Sequence, residues 1–156
     1  MTSRTTGTPH TTKRGRAVRT AATIVAAVFT LVGVAGFIPG ITTDHDGLAF
    51  AGNGSHAMLL GLFAVSVLHN LVHLVFGLAG FALARTANGA RGYLIGGGAV
   101  YLALCVYGLL IDKGGAANFL PLNSADDWLH LGLGAGMIAL GLALLPRERD
   151  LIAPQA

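Results

Sequence analysis

Apolar residues along this chain neither alternate nor recur on one helical stripe; they run together in long blocks separated by short polar stretches. Four blocks carry no charge: Thr20 to about Ile38, about Ala57 to Ala84, Gly92 to Ile111, and Trp128 to about Leu145. A bilayer core about 30 Å thick takes roughly 20 apolar residues in a helix, and lipid offers no partner for an unpaired backbone group. The pattern therefore predicts an all-α, polytopic integral membrane four-helix bundle over residues 20–145, with spans at about 20–38, 57–84, 92–111 and 128–145. The second block is the longest, so it is expected to tilt, kink or project beyond the membrane.

Charge sets the orientation. Nine of the ten basic residues fall at one end of the blocks: Arg4, Lys13, Arg14, Arg16 and Arg19 before the first, Arg85 and Arg91 between the second and third, and Arg147 and Arg149 after the fourth. The opposite connections carry Asp44, Asp46, Asp112, Asp126 and Asp127, with Lys113 the one exception. Basic residues stay on the cytoplasmic side, so both termini are expected inside, in the plasma (inner) membrane. Residues 1–19, polar and basic, read as a flexible cytoplasmic tail, and 146–156 as a short one. A cleaved secretory signal is the rival reading of the first block, with Val34-Ala35-Gly36 as a loose small-residue site. Pro39-Gly40, which stops a helix, and the length of the block favour a retained span.

Composition agrees with this picture. Hydrophobic residues make up 53% and charged residues only 11%, with 23 glycines, which suits a membrane bundle better than a soluble globule. The net charge of +3 sits in clusters flanking apolar blocks, not along a helix face, so a nucleic-acid partner is not expected. The single cysteine, Cys105, lies within a block, which excludes an internal disulfide and a CxxC motif. Asn53-Gly54-Ser55 fits a glycosylation sequon but is common by chance. In lipid, close backbone approach replaces the hydrophobic effect, so Gly92 with Gly96, Gly132 with Gly136, Gly77 with Gly80, and Gly97 with Tyr101 and Cys105 are expected packing faces, within the bundle or in a homo-oligomer.

Polar side chains at bilayer depth are costly and draw attention. Ser66, His69, Asn70 and His73 share one helical stripe with Gly77 and Gly80. His69 and His73 have the spacing by which one helix offers two imidazoles to a metal. Counted back from Arg85 and Arg147, His130 comes level with His69. Asn70-Leu-Val-His73-Leu-Val-Phe-Gly77 also echoes Asp127-Trp-Leu-His130-Leu-Gly-Leu-Gly134, an offset of 57 residues. That echo implies a parallel repeat of two-helix units, and it makes His73 the residue level with His130, one turn away from the depth count.

Three stretches, Gly36-Phe-Ile-Pro-Gly-Ile-Thr42, Val67-Leu-His-Asn-Leu-Val-His-Leu74 and Asn118-Phe-Leu-Pro-Leu-Asn-Ser-Ala-Asp-Asp-Trp-Leu-His130, resemble the bacterial membrane family known as domain of unknown function 4383. The resemblance covers about residues 20–145 and implies a four-helix inner-membrane protein; its motifs name no chemistry. Carried over by position, they make His69, Asn70, His73, Asn123, Asp126, Asp127 and His130 the candidate polar cluster.

Three roles compete for that cluster. The imidazoles hydrogen-bond Ser66, Asn70, Tyr101, Tyr107 or an aspartate and fix the helices; or His69, His73 and His130, with Asp126 or Asp127, hold a divalent metal or a haem; or they relay protons or line a path through an oligomer. No nucleophile with a base is present, which argues against an enzyme. A structural or accessory membrane protein, with no cofactor and the lipid bilayer as partner, accounts for every feature.

Overall fold

In a computed structural model, residues 13–144 form four helices and a small sheet. The helices are α1 (Lys13–Ala35), α2 (Val67–Leu83), α3 (Ala87–Leu110) and α4 (Ser124–Ala143). Between α1 and α2 lie β1 (Thr42–Thr43), a 3-10 turn (His45–Gly47), β2 (Met58–Leu59) and β3 (Phe63–Ala64). The strands pair antiparallel in the order β1-β2-β3, with Thr42 opposite Leu59 and Met58 opposite Ala64. Two helices, α1 and α3, are long and apolar enough to cross a membrane, while α2 is apolar but shorter at 17 residues.

The block at 57–84 is thus not one helix. Its first part folds as β2, the turn and β3, and the helix begins only where Ser66 caps it, its hydroxyl accepting from the His69 amide at 3.1 Å. The tail expected over 1–19 is likewise shorter, because Lys13 to Arg19 already belong to α1. Residues 1–12 and the tail expected over 146–156 lie outside the described residues. The other ends move by a few residues: α1 stops at Ala35, α3 runs from Ala87 to Leu110, and α4 starts before Trp128, at Ser124. Asn123 starts α4 with a reciprocal capping box, its side chain accepting from the Asp126 amide at 3.0 Å while Asp126 accepts from the Asn123 amide at 2.9 Å.

The helices pack as two hairpins, α1 on α2 and α3 on α4, joined chiefly by α1 against α3. Corresponding positions of the hairpins are buried alike. An offset of 57 carries the buried face of α2 (His69, Asn70, His73, Gly77, Gly80) onto that of α4 (Asp126, Asp127, His130, Gly134, Met137) and the cap Ser66 onto the cap Asn123. An offset of 72 carries Val18, Ala22, Ala26, Phe29 and Gly33 of α1 onto Ala90, Leu94, Gly98, Tyr101 and Cys105 of α3. The two hairpins thus match in burial position by position, and the difference between the offsets is the extra chain that builds the sheet.

Helix contacts rest on absent side chains. A Cβ at Gly98 would lie 2.7 Å from the Gly134 carbonyl oxygen, and one at Gly134 would lie 2.8 Å from that of Gly98. Gly97 receives Phe76 and Met137, and Gly80 receives Tyr93. The expected faces at Gly92 with Gly96 and Gly132 with Gly136 behave differently: among the described residues nothing lies within 4 Å of a Cβ added there, so they open outward. The middle of the bundle is filled by Phe29, Phe76, Tyr93 and Tyr101, with ring centroids 4.9 to 5.5 Å apart in successive pairs.

Candidate functional site

The polar residues gather at the end of the bundle that carries the sheet. Capped by Ser66, α2 brings His69, Asn70 and His73 to its inner face; capped by Asn123, α4 brings Asp126, Asp127 and His130 to its own. All six are buried. The His69 and His73 rings stack with centroids 4.7 Å apart and planes inclined by 25°. Nδ1 of His73 lies 3.0 Å from the His69 carbonyl oxygen, which can only accept, so that nitrogen carries a proton and donates. His73 leans on Phe29 at 5.7 Å, and His130 meets Tyr101 edge to face at 5.1 Å, the same pairing in each unit.

The two aspartates do different work. Asp126 turns toward the sheet: beside its cap bond, Oδ2 accepts from the Ala64 amide at 3.1 Å. The Asn123 side-chain Nδ2 donates to the Leu62 carbonyl at 2.8 Å, so the cap of α4 and Asp126 together tie down the β2–β3 turn. Asp127 faces Gly108 and pairs with Lys113 Nζ at 2.7 and 2.9 Å. Asn118 folds the loop that carries Lys113, donating to the Lys113 and Leu122 carbonyls and accepting from the Leu122 amide. Tyr107, an expected partner of the histidines, instead donates to the Ala117 carbonyl.

The sheet lies over the cluster as a lid. Beneath it a cavity of 180 Å³ is lined by Leu59, Leu60, Phe63 and Val65 from the lid region, Val32 from α1, and His69, Asn70, His73, Asp126, Leu129 and His130. All three predicted histidines meet there, with Asn70 and Asp126; Asn123 and Asp127 stand behind the wall. Among the described residues, no group of three or more His, Cys, Asp or Glu side chains is arranged to hold a metal ion. The cavity is also smaller than the roughly 300–1,000 Å³ of sites for drug-sized ligands, too small for a porphyrin. His73, in the wall of the cavity, rests against Phe29 of the aromatic cluster.

Three polar atoms here are buried without a partner: His69 Nδ1, His130 Nδ1 and Asn70 Nδ2. Sequence reasoning missed the lid residues, whose apolar run reads as more helix, and it missed the pairing of Lys113 with Asp127. The signal for that pairing was present, since Lys113 is the one basic residue among acidic connections.

Comparison with known proteins finds a family model described as Domain of unknown function (DUF4383), matching residues 19–143. No curated protein and no solved structure matches.

Proposed function

The chain belongs to the family described as Domain of unknown function (DUF4383), and from that premise we propose an integral membrane protein, crossing the bilayer four times with both termini cytoplasmic, whose buried His/Asn/Asp cluster locks two helical hairpins into a structural or accessory unit. The observation that carries the reading is an inverted distribution of polarity. Leu31, Val75, Leu78 and Leu110 are 62 to 79% exposed on the outer face of the helices, while His69, Asn70, His73, Asp126, Asp127 and His130 are at most 7% exposed inside. In water such a surface would aggregate; in lipid it is solvated.

Dimensions support the same reading. At 1.5 Å per residue, α2 and α4 run about 26 and 30 Å, close to the apolar thickness of a bilayer. Trp128 stands 69% exposed near the lid end of α4, where an indole suits a membrane interface. The lid and the loop carrying Lys113 form the outer surface, and the α2–α3 turn with Arg85 and Arg91 the inner one. A path for protons or solutes through one copy is disfavoured by the apolar, aromatic filling of the middle of the bundle. Lipid is the principal partner, and the open strips at Gly92–Gly96 and Gly132–Gly136 leave room for a second copy.

Single cysteines test the topology. In a Cys105→Ala background, Ala116→Cys on the lid-side loop is expected to react with a membrane-impermeant maleimide in intact cells, and Asn88→Cys only after permeabilisation. Recovery of the protein in the soluble fraction, or the reverse labelling, would overturn the reading.

A further inference from the structure

The cavity beneath the lid has hydrogen-bonding capacity that the fold itself leaves unused. Buried polar atoms almost always find partners, and those around this cavity mostly do: Ser66, Asp126, Asp127 and His73 Nδ1 are each matched. Among the described residues three are not, His69 Nδ1, His130 Nδ1 and Asn70 Nδ2, although the Ala64 and Pro121 backbones also reach the His69 ring. They belong to side chains only 6%, 3% and 1% exposed, and all three side chains line the same 180 Å³ space. Their chemistry limits what satisfies them. An amide nitrogen only donates, so Asn70 requires an acceptor, and an imidazole nitrogen serves an acceptor equally well when it carries the proton.

The rest of the wall is apolar, Val32, Leu59, Phe63, Val65 and Leu129, apart from His73 and Asp126, whose Nδ1 and Oδ2 are already engaged. For scale, an apolar cavity of about 150 Å³ holds one benzene. The space beneath the lid therefore fits one six-membered ring with small substituents. Apolar walls with donors on facing helices match a flat ring that carries carbonyl oxygens. Leu60, 70% exposed, and Leu129, 38% exposed, form the rim, so an apolar chain attached to such a ring has a way out past the lid.

We propose that this cavity is a binding site for a membrane-dissolved monocyclic molecule bearing carbonyl oxygens, of the chemical class of a benzoquinone head group, held by His69, His130 and Asn70. Only the source of the ligand rests on the membrane reading; the shape and donors of the cavity do not.

The test uses the full chain in detergent, with Cys105→Ala to prevent thiol addition, and two probes of one shape: dimethylbenzoquinone, and durene, the same ring with methyl groups in place of both oxygens. The quinone is expected to raise the unfolding temperature saturably and durene to bind at least about tenfold more weakly, because only the quinone answers the buried donors. His69→Ala, His130→Ala and Asn70→Ala each weaken the quinone about tenfold and leave durene unchanged. Val32→Phe, which fills the cavity and leaves all three donors in place, abolishes the quinone shift and remains informative if a histidine variant does not fold. Equal stabilisation by durene would make the space a mere apolar hole, and no saturable shift in the folded parent would make it a water site; either result overturns the proposal. A topology result against the membrane reading would leave a positive binding result standing.

Discussion

Gly108 is the position where one methyl group should do the most damage, and the reason is local. A Cβ there would sit 1.9 Å from Asp127 Oδ1 and 3.2 Å from Lys113 Nζ, so Gly108→Ala must turn the carboxylate out of its place. Asp127 is 4% exposed and Lys113 33%, so breaking the pair strands a buried charge on one side and a half-solvated one on the other. Fully buried pairs cost about 3–5 kcal/mol to break, and the exposure of Lys113 lowers that to roughly 2–3. Overpacking adds about 1–3 kcal/mol, and exchanging a helical glycine for alanine returns about 1. The net expectation is a loss of about 3 kcal/mol, or roughly 6–12 °C in unfolding temperature for a chain of this size. Cys105, the one cysteine and buried, supplies the assay: a thiol-reactive fluorophore reports its exposure as detergent-solubilised protein is heated. The decisive comparison is Gly108→Ala in an Asp127→Ala background. With the carboxylate gone the alanine should be neutral or stabilising by up to about 1 kcal/mol, a coupling far outside additivity. The same loss in both backgrounds would refute the assigned clash.

Two further outcomes are expected. Gly96→Ala and Gly136→Ala, which face open space, should leave stability unchanged or raise it by up to about 1 kcal/mol, whereas Gly98→Ala and Gly134→Ala, each aimed at the other's backbone, should lower it by about 1–3 in the same thermal assay. Asn123→Ala removes both the α4 cap and the bond to Leu62, so it should cost about 1–2 kcal/mol and speed proteolytic cleavage within residues 57–64; an unchanged cleavage rate would show the lid to be held by other contacts.

The helical character, the number of helices and the polar stripe were legible because each rests on composition or on a period that packing enforces. The start of α2 was not. Ala57 to Val65 is as apolar as any helix in the chain, and only Ser66, a good cap three residues before His69, marks the boundary. Depth counting matched His69 with His130 because it used Arg85 and Arg147 as equivalent markers. In the fold the equivalent markers are the caps, Ser66 and Asn123, and counting forward from them pairs His73 with His130, as the short sequence echo implied. The match in burial between the hairpins extends beyond the echo to positions that differ in identity, such as Phe29 with Tyr101 or His69 with Asp126. Gly36 and Gly108 gave no sign of their role, because nothing local to either reveals the Asn70 amide or the Asp127 carboxylate that each receives.

The two-unit architecture has a consequence for biosynthesis. The first hairpin leaves the ribosome carrying His69, Asn70 and His73 on its inner face, before the α4 histidine or the α3 aromatic that meet that face exist. Gly36 takes the Asn70 side chain and Phe29 backs His73, but until α3 and α4 arrive the two stacked imidazoles lack their neighbours from the second hairpin. The second hairpin brings its own carboxylates, and Lys113 neutralises Asp127 within that same hairpin. Its charge pair is therefore complete once it is made, and the early half of the chain is the one that waits for its partner.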